Sequence, residues 1–369
     1  MKKFSFALIA IIMVNVCSVA FAQDSILFNN DDINILKNIL YETQNNIDIL
    51  NWDFENPNNI KEAEWERIND ECHLVSLDLS NLLINGDIDL SDCLYLEKCN
   101  FSNTDINSVQ LPYSLKNISN KSFENCSKLQ VATINADNTI IGSNAFSGCI
   151  LLKGIVNADK ITSIGRNAFN NCENLNFYFS ENSSNSYIEN YAQKYDFNIV
   201  NSVNTTSYGY AGQMYDNKLT KFDLNQVKSP YSSGSVSLYT LDKQLINTVN
   251  IDENGKFSLD NLTIGKKYRI VIDGKSAIPR EEYFVPITQD YCIASNAECF
   301  GIIICDYNRD GVVNKNDTYI FLEALHHDSK DSNFDFSIYD FDSNGLCDAF
   351  DLACFFTLIN IDYHNFDYS

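Results

Sequence analysis

Histidine, tryptophan, proline and positive charge are all scarce in this sequence. Its 369 residues include 4 histidines, 2 tryptophans, 5 prolines and 26 Lys or Arg residues, against 49 Asp or Glu residues and a formal net charge of −23. A protein with this negative field repels the phosphates of nucleic acids and of anionic lipids. We therefore exclude nucleic acid and anionic membrane surfaces as partners.

The shortage of histidine also bears on catalysis. None of His73, His326, His327 and His364 has a plausible set of partners for a zinc site or for a Cys–His nucleophile pair. The sequence contains neither a G-x-S-x-G nucleophile motif nor a phosphate-binding glycine loop. Paired carboxylates for glycoside hydrolysis remain an alternative, because Asp and Glu are abundant, but most of these are expected on the solvated surface. We expect a protein that is not an enzyme.

Long hydrophobic runs are confined to the first residues. The segment 1–22 begins with a Lys2-Lys3 head, continues with an apolar run over 4–16 and ends in small residues. This order is typical of a secretory signal peptide. The run is too short for a membrane span, which needs about 20 apolar residues, and Cys17 has a poor context for lipid attachment. We predict a signal peptide over 1–22 and a secreted, extracellular protein.

Cysteine is more frequent, but its count after secretion is odd. The chain has 12 cysteines, and because Cys17 falls in the signal peptide, at least one of the others has no partner within the chain. Secretion permits disulfides, yet Cys126, Cys149 and Cys172 recur at a constant step of 23 residues. Such placement is typical of small buried packing residues. We therefore predict free thiols at these three positions.

Three other columns share the step of 23 residues. They are Phe123, Phe146 and Phe169; Leu129, Leu152 and Leu175; and Ile118, Ile141 and Ile164. A unit of this size cannot bury its own apolar side, so successive units must stack into a solenoid with a shared core. The cysteines then form a further internal column.

Two slightly shorter units precede this array. The pattern L-x-x-L-x-L at 74–79 recurs 22 residues later as L-x-x-C-x-F at 96–101, which is the leucine-rich repeat pattern. The later units, which read I-G-x-x-A-F-x-x-C at 141–149 and 164–172, resemble the BspA type of bacterial surface leucine-rich repeat. The unit at 118–126 departs from that pattern, because it begins I-S-N-K-S-F.

Solenoids need caps at both ends. Residues 24–73, with an apolar helical stretch at 33–40, resemble the amino-terminal cap of such arrays, and residues 186–195 resemble the closing helix. We predict a leucine-rich repeat solenoid with its caps over 23–200.

The residues between the inward positions of each unit are expected to line a concave outer face. They are Ser76, Asp78 and Ser80, then Lys98 and Asn100, Val131 and Thr133, Gly154 and Val156, and Phe177 and Phe179. Solenoids bind partners on such surfaces. The last three rows are apolar or aromatic, which leaves two interpretations. Either they form a protein- or sugar-binding patch, or, as the interpretation that we favour, the closing helix packs over Phe177 and Phe179.

A polar segment at 201–207 is predicted to be a linker. Four short alternating runs follow it, at 236–241, 245–251, 257–259 and 268–272. Runs of this kind, separated by turn residues, predict a small antiparallel β-sandwich over 208–300. The sandwich resembles carboxypeptidase-regulatory-like or transthyretin-like domains and is interpreted as a spacer.

The last part of the chain carries one twelve-residue pattern twice, at 306–317 and 340–351. Calcium takes six to eight oxygen ligands, and a loop of this length supplies them from positions 1, 3, 5, 7, 9 and 12, with glycine at position 6. In the first copy these positions are Asp306, Asn308, Asp310, Val312 through its carbonyl, Asn314 and Asp317. In the second copy they are Asp340, Asp342, Asn344, Leu346 through its carbonyl, Asp348 and Asp351. One copy alone would also suit an acidic turn, whereas two copies in register predict two bound calcium ions.

Each loop continues into an apolar-periodic helix, while a strand precedes the first loop. This paired loop-and-helix, or F-hand, arrangement resembles the type I dockerin over residues 301–364, with Asp where an EF-hand usually carries Glu at the twelfth position. Cys305 stands where dockerins commonly carry glycine. The resemblance implies a dockerin over 301–369 that binds a cohesin module of a scaffoldin, within a cellulosome-type complex for polysaccharide degradation.

The two halves of the predicted dockerin differ where a cohesin would contact them. Lys315-Asn316 in the first half corresponds to Ala349-Phe350 in the second, and Leu322-Glu323 corresponds to Phe356-Thr357. The predicted partner-binding residues are Lys315, Asn316, Glu323, Phe350 and Phe356. Because the halves do not interchange, we expect one preferred orientation of binding.

These patterns together predict a multidomain α/β protein with a leucine-rich-repeat solenoid, then a small β-sandwich, then a paired F-hand calcium-binding dockerin. The expected function is that of a secreted, non-catalytic protein that docks on a scaffoldin and uses its repeat domain to bind a protein or carbohydrate. The alternative is a polysaccharide-acting enzyme, or an enzyme inhibitor subunit, with an unrecognised site in the repeat domain.

Overall fold

Strands are the main regular structure of the described chain. The computed structural model describes residues 27–43, 50–214, 234–274, 277, 279–294, 300–303, 305–310, 313–325, 338, 339, 347, 351, 352 and 355. Within these residues it has twenty strands and three α-helices. The designation α/β was therefore too loose, because the α-helices among the described residues lie at the ends of the repeat body and in the carboxy-terminal module. The predicted signal peptide lies outside the described residues.

A helix and a hairpin form the start of the described chain. Helix α1 (Asn30–Glu42) begins after Asn29, whose side chain accepts hydrogen bonds from the backbone amides of Asp31 and Asp32, as an N-cap residue does. A short 3-10 helix and the first strands follow it: Pro57–Asn59, β1 (Ala63–Ile68) and β2 (Glu71–Asp78). Strands β1 and β2 are antiparallel, and β2 pairs in parallel with a strand of the next unit, β4 (Lys98–Asn100).

The repeat body is built on two parallel sheets. The larger has six strands in the order β12-β11-β9-β7-β5-β3. These strands are β3 (Asn85–Asp89), β5 (Asp105–Gln110), β7 (Val131–Thr133), β9 (Gly154–Val156), β11 (Asn176–Tyr178) and β12 (Asn198–Val200). The smaller sheet, in the order β10-β8-β6, contains β6 (Asn117–Ile118), β8 (Thr139–Ile141) and β10 (Ile161–Ile164). A 3-10 helix at Ala158–Lys160 precedes β10.

A column of phenylalanine rings runs through the core of the repeat body. Phe101, Phe123, Phe146 and Phe169 are buried, and neighbouring rings lie 5.7, 5.0 and 5.4 Å apart between centroids, with interplanar angles of 4°, 3° and 6°. Aromatic pairs of this kind contribute about 0.5–1.5 kcal/mol each beyond the burial of their area. The column joins four successive turns into one core, as the 22- and 23-residue steps predict.

The cysteine column is made of free thiols, which confirms the prediction for these residues. Cys126, Cys149 and Cys172 are buried and unbridged. Each thiol donates to the carbonyl oxygen of the phenylalanine one turn earlier, at 3.0, 3.0 and 3.2 Å, on Phe101, Phe123 and Phe146 in turn. Burial raises the pKa of the Cys172 thiol to about 12, so it remains a protonated donor at neutral pH.

Two glycines of the I-G-x-x-A-F motif allow one turn to approach the turn before it. A Cβ atom on Gly165 would lie 2.5 Å from the amide nitrogen of Ser143, and one on Gly142 would lie 2.6 Å from the amide nitrogen of Asn120. The unit that departs from the motif has Ser119 at this position. Strand β6 is the edge strand of the smaller sheet, and Ser119 is exposed, so a side chain is tolerated there.

This difference predicts that an alanine has unequal effects at two equivalent positions of the repeat. We expect Gly165→Ala to lower the free energy of unfolding by about 1–3 kcal/mol, because the new Cβ meets backbone atoms that cannot move aside easily. The change Ser119→Ala should stay within about 0.5 kcal/mol of the wild type, as surface substitutions usually do. Urea unfolding followed by circular dichroism measures both. Equal stability of the two variants would contradict the role assigned to Gly165.

The closing helix ends the repeat body as predicted. Helix α2 (Ser186–Tyr195) begins after Asn185, whose side chain accepts from the amides of Tyr187 and Ile188. Its buried side packs on the core, and the ring of Tyr191 lies 6.3 Å from that of Phe177. Strand β12 then pairs with β11 and extends the larger sheet by one strand.

Two sheets follow the repeat body: the first has one antiparallel and two parallel strand pairs, so the predicted antiparallel pairing does not hold there, and the second is antiparallel throughout. One is formed around β13 (Asn204–Met214), with β16 (Lys256–Thr263), β19 (Tyr291–Cys292) and β20 (Phe300–Ile303). The other has the order β15-β14-β17-β18, with β14 (Ser235–Tyr239), β15 (Leu245–Asn250), β17 (Tyr268–Asp273) and β18 (Arg280–Phe284). Residues 204–207 of the predicted linker belong to β13, because they pair with β16, and the polar side chains of Thr205 and Ser207 are buried there.

The carboxy-terminal module shares its core with the sandwich. Helix α3 (Lys315–Ala324) begins after Asn314, and Asp317 completes a capping box with it. One continuous apolar cluster includes Phe257 and Leu259 of the sandwich and Phe321 and Phe355 of the module. No helix among the described residues is long and apolar enough to cross a membrane.

Candidate functional sites

The first predicted calcium loop folds around two buried carboxylates. Asp306 and Asp317, its first and twelfth positions, are 1% and 0% exposed. The amide of Asp310 donates to Asp306 Oδ1 at 3.1 Å and to Asn308 Oδ1 at 3.0 Å. Asp317 Oδ1 accepts the amide of Tyr307 at 2.8 Å. These bonds bring both ends of the loop to the amino-terminal end of α3.

The donor set of this loop suits a hard cation. Its side chains offer carboxylate and amide oxygens, which are the ligands that calcium prefers, and buried carboxylates are costly unless charge or hydrogen bonds compensate them. Among the described residues, however, no three His, Cys, Asp or Glu side chains converge closely enough to hold a metal ion. Of the predicted ligands, Val312, Asp340, Asp342, Asn344, Leu346 and Asp348 lie outside the described residues, and Asp351 is buried.

Helix α3 presents an exposed surface that combines apolar and polar side chains. Lys315, Asn316 and Glu323, three of the predicted partner-binding residues, are exposed. Tyr319 and Leu322 lie on the same helix and are 65% and 39% exposed. The apolar residues of the helix that face the core are Phe321 and Ala324. The other two predicted partner residues, Phe350 and Phe356, lie outside the described residues.

An ion pair joins the first loop to the sandwich. Arg309, in a left-handed conformation with φ of 59°, places one guanidinium nitrogen 2.9 and 2.7 Å from the two carboxylate oxygens of Asp273. Together with the shared apolar cluster, this pair sets the position of the loop relative to β17.

The apolar part of the predicted ligand face is covered by the sandwich. Val131, Val156 and Tyr178, from three neighbouring strands of the larger sheet, form one buried cluster with three sandwich residues, Ile264, Val285 and Ile287. The binding patch predicted on these rows is therefore wrong in position, because the surface is already buried within the chain.

The last predicted row also points the other way. Phe177 and Phe179 face the core, and Tyr178 takes the outward place, since β11 pairs Phe177 with the inward Ile155 and Tyr178 with the outward Val156. The closing helix packs against Phe177, in line with the interpretation that we favour. Gly154 makes room for the ring of Tyr178, which would lie 2.9 Å from a Cβ at that position. The polar rows Ser76, Asp78, Lys98 and Asn100 belong to the β2–β4 pair rather than to the larger sheet.

A single glycine makes the closest contact between the sandwich and the larger sheet. Gly265 has a φ of +79°, and a Cβ there would lie 2.3 Å from Thr133 Oγ1 and 3.3 Å from Val156 Cγ2. Next to it, Lys267 Nζ lies 2.7 Å from Glu42 Oε1 of α1 and 3.9 Å from Asp87 Oδ2 of β3. The interface thus has an apolar centre and a charged edge.

Substitution of Gly265 tests whether this interface holds the two domains together. We expect Gly265→Ala to expose the interface, because the added Cβ both overlaps Thr133 and is strained at a positive φ. Hydrogen exchange of residues 131–133 and 154–156 should become at least several-fold faster, whereas Lys266→Ala, at the exposed neighbouring position, should leave it unchanged. Unaltered exchange in Gly265→Ala would contradict the interface.

A cleft opens at the edge of this interface. It encloses about 310 Å³ between α1, β3 and the sandwich, and its polar and aromatic lining consists of Asn38, Tyr41, Glu42, Asp87, Asp89, Lys267 and Tyr283. Two of its carboxylates are held by side chains of the next strand. Asp87 accepts from Ser108 Oγ at 2.7 Å, and Asp89 accepts from Gln110 Nε2 at 3.1 Å.

The partner of His73 could not be found from the sequence. Its Nδ1 lies 3.1 Å from Asp32 Oδ2, on the first turn of α1, and Asp32 also accepts the amide of Leu74 at 3.1 Å. Burial raises the pKa of Asp32. The pair ties α1 to β2 and has a structural role. The only signal of this pair in the sequence was an acidic residue, Asp32, at the start of the predicted cap helix.

Comparison with protein families identifies the repeat body. Residues 66–200 match the model described as BspA type leucine-rich repeat region, in six copies. This segment is a run of BspA-type leucine-rich repeats. The match begins within β1 and ends at the last residue of β12, so it covers both sheets of the repeat body and the closing helix. Comparison with curated proteins finds no match.

Two solved structures align with part of the chain. Both are type II cohesin–X–dockerin complexes from Acetivibrio cellulolyticus, one an N-terminal and the other a C-terminal interface mutant. The alignments have TM-scores of 0.34 and identities of 19% and 18%, and cover 44% of this chain and 99% of the matched chain. Similarity at this level does not establish a shared fold.

Proposed function

We propose that this is a secreted, non-catalytic protein whose carboxy-terminal module is a calcium-dependent dockerin. In this proposal the module binds a cohesin of a scaffoldin, within a cellulosome-type complex at the cell surface, and the repeat domain binds a protein or carbohydrate. The observation that carries the proposal is the first loop, in which the first and twelfth positions, Asp306 and Asp317, are buried together at the start of α3.

Calcium has a defined task in such a module. The residues that would hold the two ions are the twelve named from the sequence, six in each loop. Seven of them are aspartates, whose mutual repulsion would oppose folding of the loops, and a bound calcium ion neutralises that repulsion. Asp306 and Asp317 would then act from buried positions, while backbone amides already fix the orientation of the Asp317 carboxylate.

The exposed side of α3 supports a docking role. Tyr319 and Leu322 supply apolar area, and Lys315, Asn316 and Glu323 surround it with polar groups. An apolar centre with a polar rim is the usual composition of a protein interface. Because Arg309 and the shared core attach the module to the sandwich, a bound cohesin would be held at a fixed position relative to the sandwich.

Removal of calcium should unfold the carboxy-terminal module and leave the repeat body intact. Excess chelator is expected to abolish binding of the full chain to type I cohesins, since binding and folding of the loops are coupled. Asp317→Asn should weaken cohesin binding at least tenfold at limiting calcium, while Asp290→Asn, an exposed acid outside the loops, should not. Titration calorimetry with and without chelator provides the measurement. Undiminished cohesin binding in excess chelator would refute calcium-dependent docking.

The difference between the two halves predicts a single dominant orientation of the cohesin. A partner surface that fits Lys315, Asn316 and Glu323 would leave polar groups unpaired against Phe350 and Phe356, at about 1–3 kcal/mol for each buried group. We therefore expect one of two double variants, Asn316→Ala with Glu323→Ala or Phe350→Ala with Phe356→Ala, to reduce affinity alone. If both halves must be changed before binding falls, the two orientations are equivalent.

The alternative function of the repeat domain is that of a polysaccharide-acting enzyme or an enzyme inhibitor subunit. Asp87 and Asp89 in the interdomain cleft are the carboxylates that such an enzyme would use. Because the sandwich covers Val131, Val156 and Tyr178, assays need the full chain rather than an isolated repeat fragment. Polysaccharide turnover that is lost in Asp87→Asn or Asp89→Asn would favour the enzyme, and binding without turnover favours the proposal.

A further inference from the structure

Among the described residues, the last turn of the repeat body ends in a row of backbone amides that donate no hydrogen bond. In the preceding turns, amides at alternate positions donate to carbonyl oxygens of the following turn. We call this series the turn ladder. In its last complete set of hydrogen bonds, three amides donate to three carbonyl oxygens of the following turn. The bonds are Asn144 to Arg166 at 3.0 Å, Phe146 to Ala168 at 2.8 Å and Gly148 to Asn170 at 2.9 Å.

The equivalent donors of the last turn have no such acceptors. Asn167, Phe169 and Asn171 stand 23 residues after the donors of the previous turn. Within the described chain, none of their amide hydrogens takes part in a hydrogen bond. Two of these residues, Asn167 and Asn171, have the same left-handed conformation as Asn144 and Gly148. The backbone of the last turn therefore has the same conformation at these positions as the previous turn, whose amides do donate.

The closing segment pairs both flanks of this edge but not its middle. On one side, the amide of Ile164 donates to the hydroxyl of Tyr187 at 2.8 Å. On the other side, β12 pairs along the whole of β11. The three amides between these flanks face a groove of about 300 Å³ whose walls include Glu173, Tyr191 and Tyr195. We call it the terminal groove.

We propose that the terminal groove binds an extended segment of another protein, which continues the turn ladder for one more turn. The segment would offer backbone carbonyl oxygens at alternate residues to Asn167, Phe169 and Asn171. Addition of a peptide to an open backbone edge is a common mode of recognition, in which the main chain supplies the affinity. This inference rests on the proposed binding role of the repeat domain and assigns it a site and a class of partner.

The interior turns also define the side chain that the segment carries at its centre. The residues that accept from Phe101, Phe123 and Phe146 are Ser122, Ala145 and Ala168, all small and buried. A large residue would not fit between two such turns. In the repeats an aromatic ring follows this residue, but Tyr191 and Phe197 already lie against Phe169, with centroids 6.3 and 6.4 Å away. The partner segment therefore needs Ala or Ser at the centre and no large ring after it.

Charge favours a basic segment. Glu173 is exposed at the groove, and the chain carries a net charge of −23. A positive partner is attracted by this field over long range at low salt. The same field opposes pairing of this edge with a second copy of the chain, and two donor rows cannot pair with each other.

The chain supplies its own probe. The probe is a synthetic peptide that copies residues 163–171 with the change Phe169→Ala. It contains the carbonyl groups of residues 166, 168 and 170, which accept the hydrogen bonds of the previous turn in the protein. It also carries the positive charge of Arg166. We expect it to bind the full-length protein with a Kd on the order of 0.1 mM, since a short flexible peptide must be ordered on binding. Hydrogen exchange at Asn167, Phe169 and Asn171, which should be fast in the free protein, should slow at least several-fold on saturation.

Two matched controls define the site. The same peptide with Ala168→Leu should bind at least tenfold more weakly, because its centre is too large. Glu173→Lys in the protein should weaken binding about fivefold through loss of an exposed charge contact, whereas Ile150→Lys, at the equivalent position one turn earlier, should not change it.

Absence of binding at millimolar peptide, or protection that is equal with the Ala168→Leu peptide, would overturn the proposal. Excess chelator should leave peptide binding unchanged, so failure of calcium-dependent docking and failure of the terminal groove give different results. Binding of soluble polysaccharide at the groove, with exchange at Asn167, Phe169 and Asn171 slowed by sugar but not by peptide, would also overturn it.

Discussion

Hydrogen bonds between successive turns are the constraint on which the repeat body depends. Each turn is too short to satisfy its own backbone, so its alternate amides donate to the next turn, and the phenylalanine and cysteine columns fill the space inside. Residues that look unrelated in the sequence serve this one requirement. Gly142 and Gly165 let the turns come close enough, and Asn144 and Gly148 supply the left-handed geometry. A change in any of them alters the spacing for the whole stack.

The contact between the repeat body and the sandwich removes part of the repeat surface from access by a ligand. An isolated array would expose Val131, Val156 and Tyr178, and these would be natural candidates for recognition. In the full chain the loop at Ile264 and Gly265 buries them, and Lys267 closes the edge with Glu42. Surfaces left open lie elsewhere, in the cleft beside Lys267 and at the end of the array. The sandwich therefore determines which surfaces of the repeat body stay exposed.

The 23-residue periodicity of the sequence predicts which residues occupy equivalent positions in successive turns. It does not predict positions in the last unit, where the step is no longer 23 residues. The columns at 123, 126 and 129 are spaced by stacking alone, so the 23-residue step was sufficient to place them in the core and to predict free thiols. Phe177 and Phe179 were assigned to the wrong side because the last unit is shifted by one residue, and in a strand such a shift reverses every side chain. Contacts between domains leave no periodic signal, so Gly265 resembled an ordinary turn glycine. The pairing of His73 with Asp32, 41 residues apart, could not be predicted either, because this contact does not recur along the repeats.

The interface also fixes the length of the array. Val131, Val156 and Tyr178 belong to three successive turns, and the sandwich residues Ile264, Val285 and Ile287 form one buried cluster with them. In an open solenoid, a repeat can be gained or lost by recombination and the ends simply move apart. Here, an added repeat after residue 152 would displace one of these three contacts by a full turn and separate the sandwich from its support. A repeat added before Val131 would likewise separate Lys267 from Glu42 and Asp87, so the sandwich contacts limit the number of repeats along the whole array.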